Sequence, residues 1–346
     1  MRAREAGLAC GSLKPGASNS MADVPGVMVG HVTLHQGDVH TGVTAVLPHG
    51  GNQFRDKVVA AAAVVNGFGK SVGLVQVDEL GVLETPVLLT NTFGVGTCAD
   101  ALIRHAVAAN PGIGRTTSTV NPVVLECNDG YLNDIQAMAV TQADAMAAIA
   151  SASEHVEVGS VGAGTGMSCF GFKGGIGSAS RRISLDGRTF HLGVLTLANF
   201  GRAGDLRLPD GRHADPRTKP RPEHGSCIVV LATDVPLEHR QLRRVALRAG
   251  AGLAWCGSFW GHGSGDIALA FSTANRVPHD ASAAILPQHV LAEGRIDRLF
   301  LAAAEAVQES VYDALIAAGP MTGRDGHARP GLADYLGAGI RSMTSS

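Results

Sequence analysis

Apolar runs of strand length alternate with amphipathic helical segments along most of this chain. The strand-like runs cover residues 42–47, 58–65, 72–77, 86–90, 123–126, 189–200, 226–233 and 267–271. The helical segments cover residues 100–107, 141–153, 234–249 and 297–318, the third with Asp234 as N-cap and Gly250 at its end. Such elements bury their apolar sides by stacking in layers. The pattern therefore predicts a layered α/β or α+β fold.

Composition indicates a globular chain without a strong charge field. With 346 residues and 45% hydrophobic content, the chain can bury a core as one large domain or two medium ones. A formal net charge of −2 offers little attraction to nucleic acid or to a membrane surface, so neither is an expected partner. A small molecule or a peptide is the expected partner.

The cysteines indicate a reducing compartment. Six cysteines are scattered along the chain without a CxxC pair, and no apolar N-terminal segment reads as a secretion signal. Disulfides are rare in the cytoplasm. We therefore expect reduced thiols and a cytoplasmic protein.

The peptide bond between Gly225 and Ser226 separates a polar segment, 202–224, from a buried-looking strand. The polar segment, rich in charge and proline, is expected to be an exposed loop. If the backbone bends at Gly225, Ser226 Oγ can attack the Gly225 carbonyl and release a free α-amine beside its own hydroxyl. Five other Gly-Ser pairs show that the dipeptide alone means little, and a loop that simply ends before a strand is the competing interpretation.

Several familiar chemistries lack their motifs. The glycine-rich run 162–166 does not match the GxGxxG spacing, and no P-loop lysine follows it. Ser226 and Ser264 are each preceded two residues earlier by histidine, so neither forms a GxSxG elbow. No HExxH motif or paired Cys/His array is present, so we expect no metal and no organic cofactor.

Polar residues at strand ends supply candidate partners for Ser226. Ser264 and Asp266 precede the strand 267–271 and can face one pocket, because residues two apart in an extended segment point to the same side. The same residues also suit a simple turn. Asn199 lies at the end of the predicted strand 189–200. Its side-chain amide can donate a hydrogen bond to an oxyanion, or it can make only local hydrogen bonds. Glu126 and Asn128 lie at the end of another predicted strand, 123–126. A carboxylate there suits recognition of a substrate ammonium, and an exposed residue at the edge of a sheet is the competing interpretation.

Taken together, these segments resemble the family of L-aminopeptidase/D-amidase-esterases and β-peptidyl aminopeptidases, which are self-cleaving N-terminal serine hydrolases. The resemblance spans nearly the whole chain. Its most specific stretches are residues 84–92, 126–134, 159–167, 225–226 and 241–244.

The resemblance implies an α+β fold, a four-layer αββα sandwich of the type found in β-peptidyl aminopeptidases and ornithine acetyltransferases, related to N-terminal nucleophile hydrolases. It implies one domain over 1–346, cut after Gly225 into a larger chain, 1–225, and a smaller chain, 226–346. It also implies a homo-oligomer of cleaved heterodimers.

The resemblance assigns the nucleophile to Ser226, its catalytic partners to Ser264 and Asp266, and the oxyanion hole to Asn199. Glu126 is expected to receive the substrate ammonium, and Asn128 and Tyr131 are further candidates for substrate binding. The expected activity removes an N-terminal residue from short peptides, amino-acid amides or esters through a seryl acyl-enzyme.

Two other functions remain open at this stage. An acyl transferase of the ornithine acetyltransferase kind would use the same scaffold, although those enzymes have threonine where this chain has Ser226. A non-catalytic binding protein could retain only the fold.

Overall fold

The computed structural model describes residues 1–216 and 225–343, and it contains sixteen strands and seven α-helices within those ranges. The strands are β1 (Met28–Gln36), β2 (Val39–Leu47), β3 (Asp56–Gly67), β4 (Val82–Leu83), β5 (Val87–Asn91), β6 (Val123–Cys127), β7 (Ser168–Cys169), β8 (Phe172–Lys173), β9 (Gly175–Leu185), β10 (Arg188–Asn199), β11 (Leu206–Arg207), β12 (His213–Ala214), β13 (Ser226–Thr233), β14 (Gly265–Pro278), β15 (Met321–Thr322) and β16 (Ala328–Arg329). The helices are α1 (Leu74–Leu80), α2 (Val95–Ala109), α3 (Gln142–Ala150), α4 (His239–Ala246), α5 (Ala249–Trp255), α6 (Asp297–Ala317) and α7 (Leu332–Met343).

Two mixed sheets form the middle of the molecule. The larger sheet has six strands in the order β4-β3-β14-β13-β10-β9, and the smaller has four in the order β1-β2-β5-β6. Neighbouring strands are antiparallel except for two parallel pairs, β13 with β14 and β5 with β6. Strands β13 and β14 lie at the centre of the larger sheet, where both faces are covered.

Three apolar cores separate four layers. One core lies between the two sheets and joins Val230 and Leu269 of the larger sheet to Leu89 of the smaller. A second packs the outer face of the larger sheet against helices α4, α5 and α6. A third packs the smaller sheet against α2 and α3. The layers follow the order helix, sheet, sheet, helix, so the predicted α+β αββα sandwich is confirmed.

Two segments differ from their sequence-based predictions. Residues 72–77, predicted as a strand, belong mainly to helix α1, which begins after Gly73 at φ 88° and ends at Gly81 at φ 68°. Glycine adopts such backbone angles without a steric penalty, and it fixes both ends of this helix. The helix after β13 begins at His239 with Glu238 as N-cap, so Asp234 is not its N-cap. Gly250 lies inside the following helix, α5, and does not end α4.

The polar segment before Ser226 is only partly exposed. Residues 217–224 lie outside the described residues. Within 202–216, strands β11 and β12 form a short hairpin that buries Leu206, Leu208 and Ala214. The expectation of a wholly exposed loop is therefore wrong for this part.

Ion pairs attach the N-terminal segment to helix α6. Arg2 contacts Asp313 at 2.8 Å, and Arg4 contacts Glu309 at 2.6 Å. The fully buried Arg181 of β9 also bonds Glu309, at 2.9 Å. Bidentate and charge-assisted contacts of this kind are among the stronger polar interactions in proteins. The first residues of the chain are thus part of the folded structure.

Within the ranges that the structure describes, no helix is both long enough and apolar enough to cross a membrane.

Candidate active site

Ser226 is the first residue of β13, between β10 and β14. Asn199 of β10 is paired with Ser226, and Asp266 of β14 is paired with Cys227. Ser264 immediately precedes the first residue of β14. Four residues from three distant parts of the sequence therefore meet at one end of three adjacent strands.

Gly225 occupies a position where no side chain fits. A Cβ atom built there would lie 1.9 Å from the main-chain oxygen of Asn199, whereas real Cβ contacts are essentially never shorter than 3.0 Å. The peptide bond before Ser226 therefore lies tightly against the end of β10. The local backbone requires glycine for steric reasons, independently of any role in cleavage.

The main chain around Ser226 holds its hydroxyl and its carbonyl in place. Ser226 Oγ accepts a hydrogen bond from the Gly265 N–H at 3.2 Å. The Ser226 carbonyl accepts one from the Cys127 thiol at 3.3 Å. Gly265 is itself confined, since an added Cβ would lie 2.6 Å from the Phe68 carbonyl oxygen.

Ser264 and Asp266 are fully buried beside Ser226. The Ser264 carbonyl accepts hydrogen bonds from Phe68 N, at 3.3 Å, and from Asn66 Nδ2. The Ser264 hydroxyl oxygen, in contrast, has no hydrogen-bond partner in the described parts of the chain. Buried polar side chains are usually paired, and an exception calls for a specific explanation.

Two neighbouring thiols are not competing nucleophiles. Burial, followed by the negative charge of Asp266, holds the pKa of Cys227 well above its usual range. Burial and the charges of Glu126 and Asp266 raise the pKa of Cys127 in the same direction. A thiol reacts as its thiolate, so both cysteines are inert at neutral pH. These thiols therefore do not compete with the Ser226 hydroxyl as nucleophile.

Asn199 is held by hydrogen bonds at both ends of its amide. Nδ2 donates to the Asn128 carbonyl at 2.9 Å, and Oδ1 accepts from Ser168 N at 2.9 Å. An amide nitrogen carries two N–H groups. The second has no acceptor among the contacts described for this residue, so Asn199 can still donate to an oxyanion.

A cavity of about 240 Å³ joins Ser226 to Glu126. Glu126 is 2% exposed and accepts hydrogen bonds from Lys70 N at 2.8 Å and from the Thr92 hydroxyl. These bonds orient its carboxylate in the cavity wall. The wall is formed by Phe68, Lys70, Thr92, Glu126, Asn128, Ser226 and Gly263.

The two remaining predicted binding residues differ in position. Asn128 is exposed and lines the cavity. Tyr131 is not among the lining residues: its ring stacks on His327 at 4.6 Å and lies 3.8 Å from the Arg329 guanidinium carbon. A direct contact between Tyr131 and substrate stays a prediction.

A buried acid, Asp129, follows Asn128 in the chain, and its charge acts on a buried base, Lys173. Burial raises the pKa of Asp129 to about 6 and lowers that of Lys173 to about 7, with the Asp129 charge opposing the second shift. Lys173 Nζ donates to the carbonyls of Gly164 and Gly174 at 3.0 and 2.6 Å. Lys173 thus fixes the glycine-rich run 162–166, in which Gly162–Gly164 form a single 3₁₀ turn.

Sequence reasoning missed four lining residues, Phe68, Lys70, Thr92 and Gly263. Phe68 and Thr92 directly follow β3 and β5, and Gly263 directly precedes Ser264, but no local signal marks Lys70. In the described ranges, no group of three or more His, Cys, Asp or Glu side chains is arranged to hold a metal ion.

The fold is thus a layered αββα sandwich in which Ser226 begins a central strand of the larger sheet. The profile of Peptidase family S58 matches residues 19–329, and the chain belongs to this family.

Three relatives illustrate the similarity. β-Peptidyl aminopeptidase BapA of Sphingosinicella microcystinivorans is 38% identical, covering 94% of this chain and 88% of its own. A solved protein from Pyrococcus horikoshii OT3 has 46% identity and a TM-score of 0.92, with 99% of each chain covered. The L-aminopeptidase D-Ala-esterase/amidase of Ochrobactrum anthropi, described as a prototype serine aminopeptidase with a variant N-terminal nucleophile hydrolase fold, has 36% identity and a TM-score of 0.89, again covering 99% of each chain.

These similarities confirm the predicted family and the predicted class, a hydrolase of the aminopeptidase and amidase type. They favour hydrolysis over acyl transfer and over a non-catalytic binding role, the two functions that the sequence left open.

Proposed function

We propose that this chain is a self-processing aminopeptidase that removes the N-terminal residue of short peptides, amides or esters through an acyl-enzyme on Ser226. The observation that carries this proposal is the meeting of Ser226 with Ser264, Asp266 and Asn199 at one end of the larger sheet. The cavity between Ser226 and the oriented Glu126 carboxylate gives the reacting group a substrate site.

Self-cleavage comes first in this mechanism. Ser226 Oγ attacks the Gly225 carbonyl carbon, the C–N bond breaks, and the acyl group passes from nitrogen to oxygen as an ester. Water then hydrolyses the ester, leaving a carboxylate on Gly225 and a free α-amine on Ser226. The mature protein would consist of residues 1–225 and 226–346 in one folded unit. The tight placement of Gly225 against Asn199 supports this step, because it fixes the carbonyl relative to the sheet.

Substrate hydrolysis uses the groups that cleavage has made available. The substrate ammonium binds Glu126, which places its first carbonyl next to Ser226. Ser226 Oγ attacks that carbonyl while the neighbouring α-amine takes the hydroxyl proton. Asn199 Nδ2 donates to the developing oxyanion, a contribution of typically about 3 kcal/mol for one donor.

Ser264 and Asp266 complete the proton path. The Ser264 hydroxyl relays a proton to the leaving amine, and Asp266 orients Ser264. The leaving amine departs, and water then attacks the acyl-enzyme. This step releases the N-terminal residue as a free amino acid and restores the Ser226 hydroxyl. The unpaired and buried hydroxyl of Ser264 supports this role, because such a group gains a partner when the reacting atoms arrive.

We also propose a cytoplasmic location and an assembly of several cleaved heterodimers. The location is supported by six buried cysteines, none of which forms a disulfide. The assembly rests on the family resemblance, and sedimentation of the purified protein would test it.

Replacing the nucleophile tests the proposed chemistry. We expect Ser226→Ala to stay uncut and to lose at least about 1,000-fold of kcat/KM on aminoacyl p-nitroanilides, while Ser226→Cys can still cleave itself. A panel of L-α, D-α and β-aminoacyl anilides would identify the accepted residue at the same time.

A matched control is Ser160→Ala. Ser160 also follows a glycine and has a buried hydroxyl without a described partner, but it does not line the cavity. The Ser160→Ala variant should cleave itself and hydrolyse aminoacyl anilides as the wild type does. Normal hydrolysis by Ser226→Ala would refute the nucleophile assignment.

A further inference from the structure

A positive charge lies in the wall of the same cavity as Glu126. Lys70 and Phe68 both line this cavity with Ser226, and both are exposed, Phe68 by 51%. The Lys70 Nζ lies 4.1 Å from the centroid of the Phe68 ring. None of the salt bridges in the described portion of the chain involves Lys70. Its ammonium is therefore held over an aromatic face, with hydrogen-bond donors to spare.

Lys70 contacts Glu126 through its backbone and Phe68 through its side chain. Its backbone N–H donates to Glu126 Oε1 at 2.8 Å, which fixes the carboxylate that would receive a substrate ammonium. Its side chain points towards Phe68. The segment containing both residues is tied to the catalytic strand by the bond from Phe68 N to the Ser264 carbonyl. One short segment thus presents a cation near Ser226 and also orients an anion.

We propose that Lys70 and Phe68 form a leaving-group subsite that binds the carboxylate of a short peptide. This inference rests on the proposed function. A dipeptide would place its ammonium at Glu126, its scissile amide at Ser226 and its terminal carboxylate at Lys70. Charge-assisted hydrogen bonds from an ammonium to a carboxylate are stronger than neutral ones, and the Phe68 ring excludes water from one side of the pair.

The size of the cavity agrees with this substrate class. At about 240 Å³ it is smaller than the roughly 300–1,000 Å³ of most ligand pockets. A site of that volume with opposite charges in its wall suits a dipeptide or tripeptide with both termini free. A peptide amide or a long chain would leave Lys70 without its carboxylate.

Paired substrates and one charge-removing variant test the subsite. The substrates are an aminoacyl-glycine dipeptide and its C-terminal amide, with the N-terminal residue chosen from those that the wild type accepts. Lys70→Gln retains much of the side-chain length and loses the charge. We expect it to lower kcat/KM about tenfold for the free acid and less than twofold for the amide. Lys14→Gln removes an exposed lysine that does not line the cavity, and it should change neither.

Each outcome has a distinct meaning. A selective loss on the free acid supports the subsite, and Lys70→Glu should then favour the amide over the acid. An equal loss on both substrates, or no loss on either, would overturn the subsite while leaving the proposed hydrolase intact. A wild-type protein that cleaves neither dipeptide nor any aminoacyl anilide would overturn the proposed function and the subsite with it.

Discussion

Ser264 combines an unpaired, fully buried hydroxyl with a position beside Ser226, and a purely structural explanation does not account for this combination. The Ser264 hydroxyl is fully buried and has no hydrogen-bond partner among the described residues. The Ser264 carbonyl, in contrast, accepts hydrogen bonds from Asn66 Nδ2 and Phe68 N. Leaving a buried hydroxyl without a partner costs about 1–3 kcal/mol. A turn before a strand needs the backbone of Ser264 but gains nothing from this side chain. A proton-relay role accounts for the hydroxyl directly.

Removing that hydroxyl should separate stability from activity. We expect Ser264→Ala to unfold in urea at the same or a higher concentration than the wild type, because it deletes an unsatisfied polar atom. The same variant should lose about 100-fold or more of kcat/KM on an aminoacyl anilide. Full activity would contradict the relay role, and a clear fall in the unfolding midpoint would show that the hydroxyl has a stabilising partner.

The sequence identified the residues closest to Ser226 better than those of the substrate cavity. Ser264, Asp266 and Asn199 sit next to strand-like runs, and the register of β10, β13 and β14 brings them together. Lys70 lies in the connection after β3, where nothing local marks it, and Thr92 directly follows β5, a position that many residues without a site role also occupy. Both residues contact the Glu126 carboxylate only in the folded protein. No short sequence pattern predicts such a long-range contact.

At the scale of elements, the hairpin of β15 and β16 holds the loop that carries Asn128. Arg324 Nε donates to the Gly130 carbonyl, and Arg324 N to the Leu132 carbonyl, each at 2.8 Å. His327 Nδ1 donates to the Tyr131 carbonyl, also at 2.8 Å. This loop in turn supplies the carbonyl that fixes Asn199. After cleavage, the hairpin would belong to the smaller chain and the loop to the larger one.

Weakening this hairpin contact should slow the chemical step. We expect Arg324→Ala to lower kcat about five- to tenfold with little change in KM, because a displaced loop would misplace the Asn199 amide. Steady-state kinetics on one anilide measures both constants. Arg298→Ala, an exposed arginine outside this cavity, is the control and should match the wild type. Wild-type kcat in Arg324→Ala would mean that the loop keeps its position without the hairpin.

The order of secondary structure was largely predictable from the sequence, and the exceptions have a common cause. Residues 72–77 contain β-branched residues that favour a strand, yet Val75 is 87% exposed on helix α1. Its ends are set by two left-handed glycines, Gly73 and Gly81, and those backbone angles are not visible in an apolar count. The order of strands in the two sheets could not be derived either, since pairing such as β3 with β14 joins distant segments.

At the scale of the whole molecule, buried charges connect the N-terminal segment, the larger sheet and helix α6. Burial alone would raise the pKa of Glu309, but hydrogen bonding by Arg4 and the charge of Arg181 outweigh it and hold that pKa below its usual value. The pKa of Glu305 is also lowered, since bonds from Ser12 and Leu13 N–H groups outweigh its burial. A glutamate with a lowered folded-state pKa stabilises the protein above its unfolded pKa of about 4.3, and this stability is lost as pH falls through the folded value.

Lowering the pH should therefore reduce the free energy of unfolding more in a protein that has Arg4 than in a variant without it. In an uncut Ser226→Ala background, we expect Arg4→Gln to lower the free energy of unfolding by roughly 1–2 kcal/mol at pH 7. The loss should be smaller at pH 4, because that pH lies below the unfolded pKa of glutamate, about 4.3, and part of the stabilisation by Glu309 is lost there. Urea unfolding at both pH values measures this, with Arg298→Gln as the control. An equal loss at pH 7 and pH 4 would show that Arg4 acts through packing and not through the charge of Glu309.

We propose that the chain itself cuts the bond between Gly225 and Ser226 and so creates the catalytic amine. The most direct measurement is the intact mass of purified wild-type protein under denaturing conditions, after incubation at neutral pH. We predict two species with the masses of residues 1–225 and 226–346, the second beginning with an unblocked Ser226, and one uncut species for Ser226→Ala. A wild-type chain that stays whole while hydrolysing aminoacyl anilides would contradict the account.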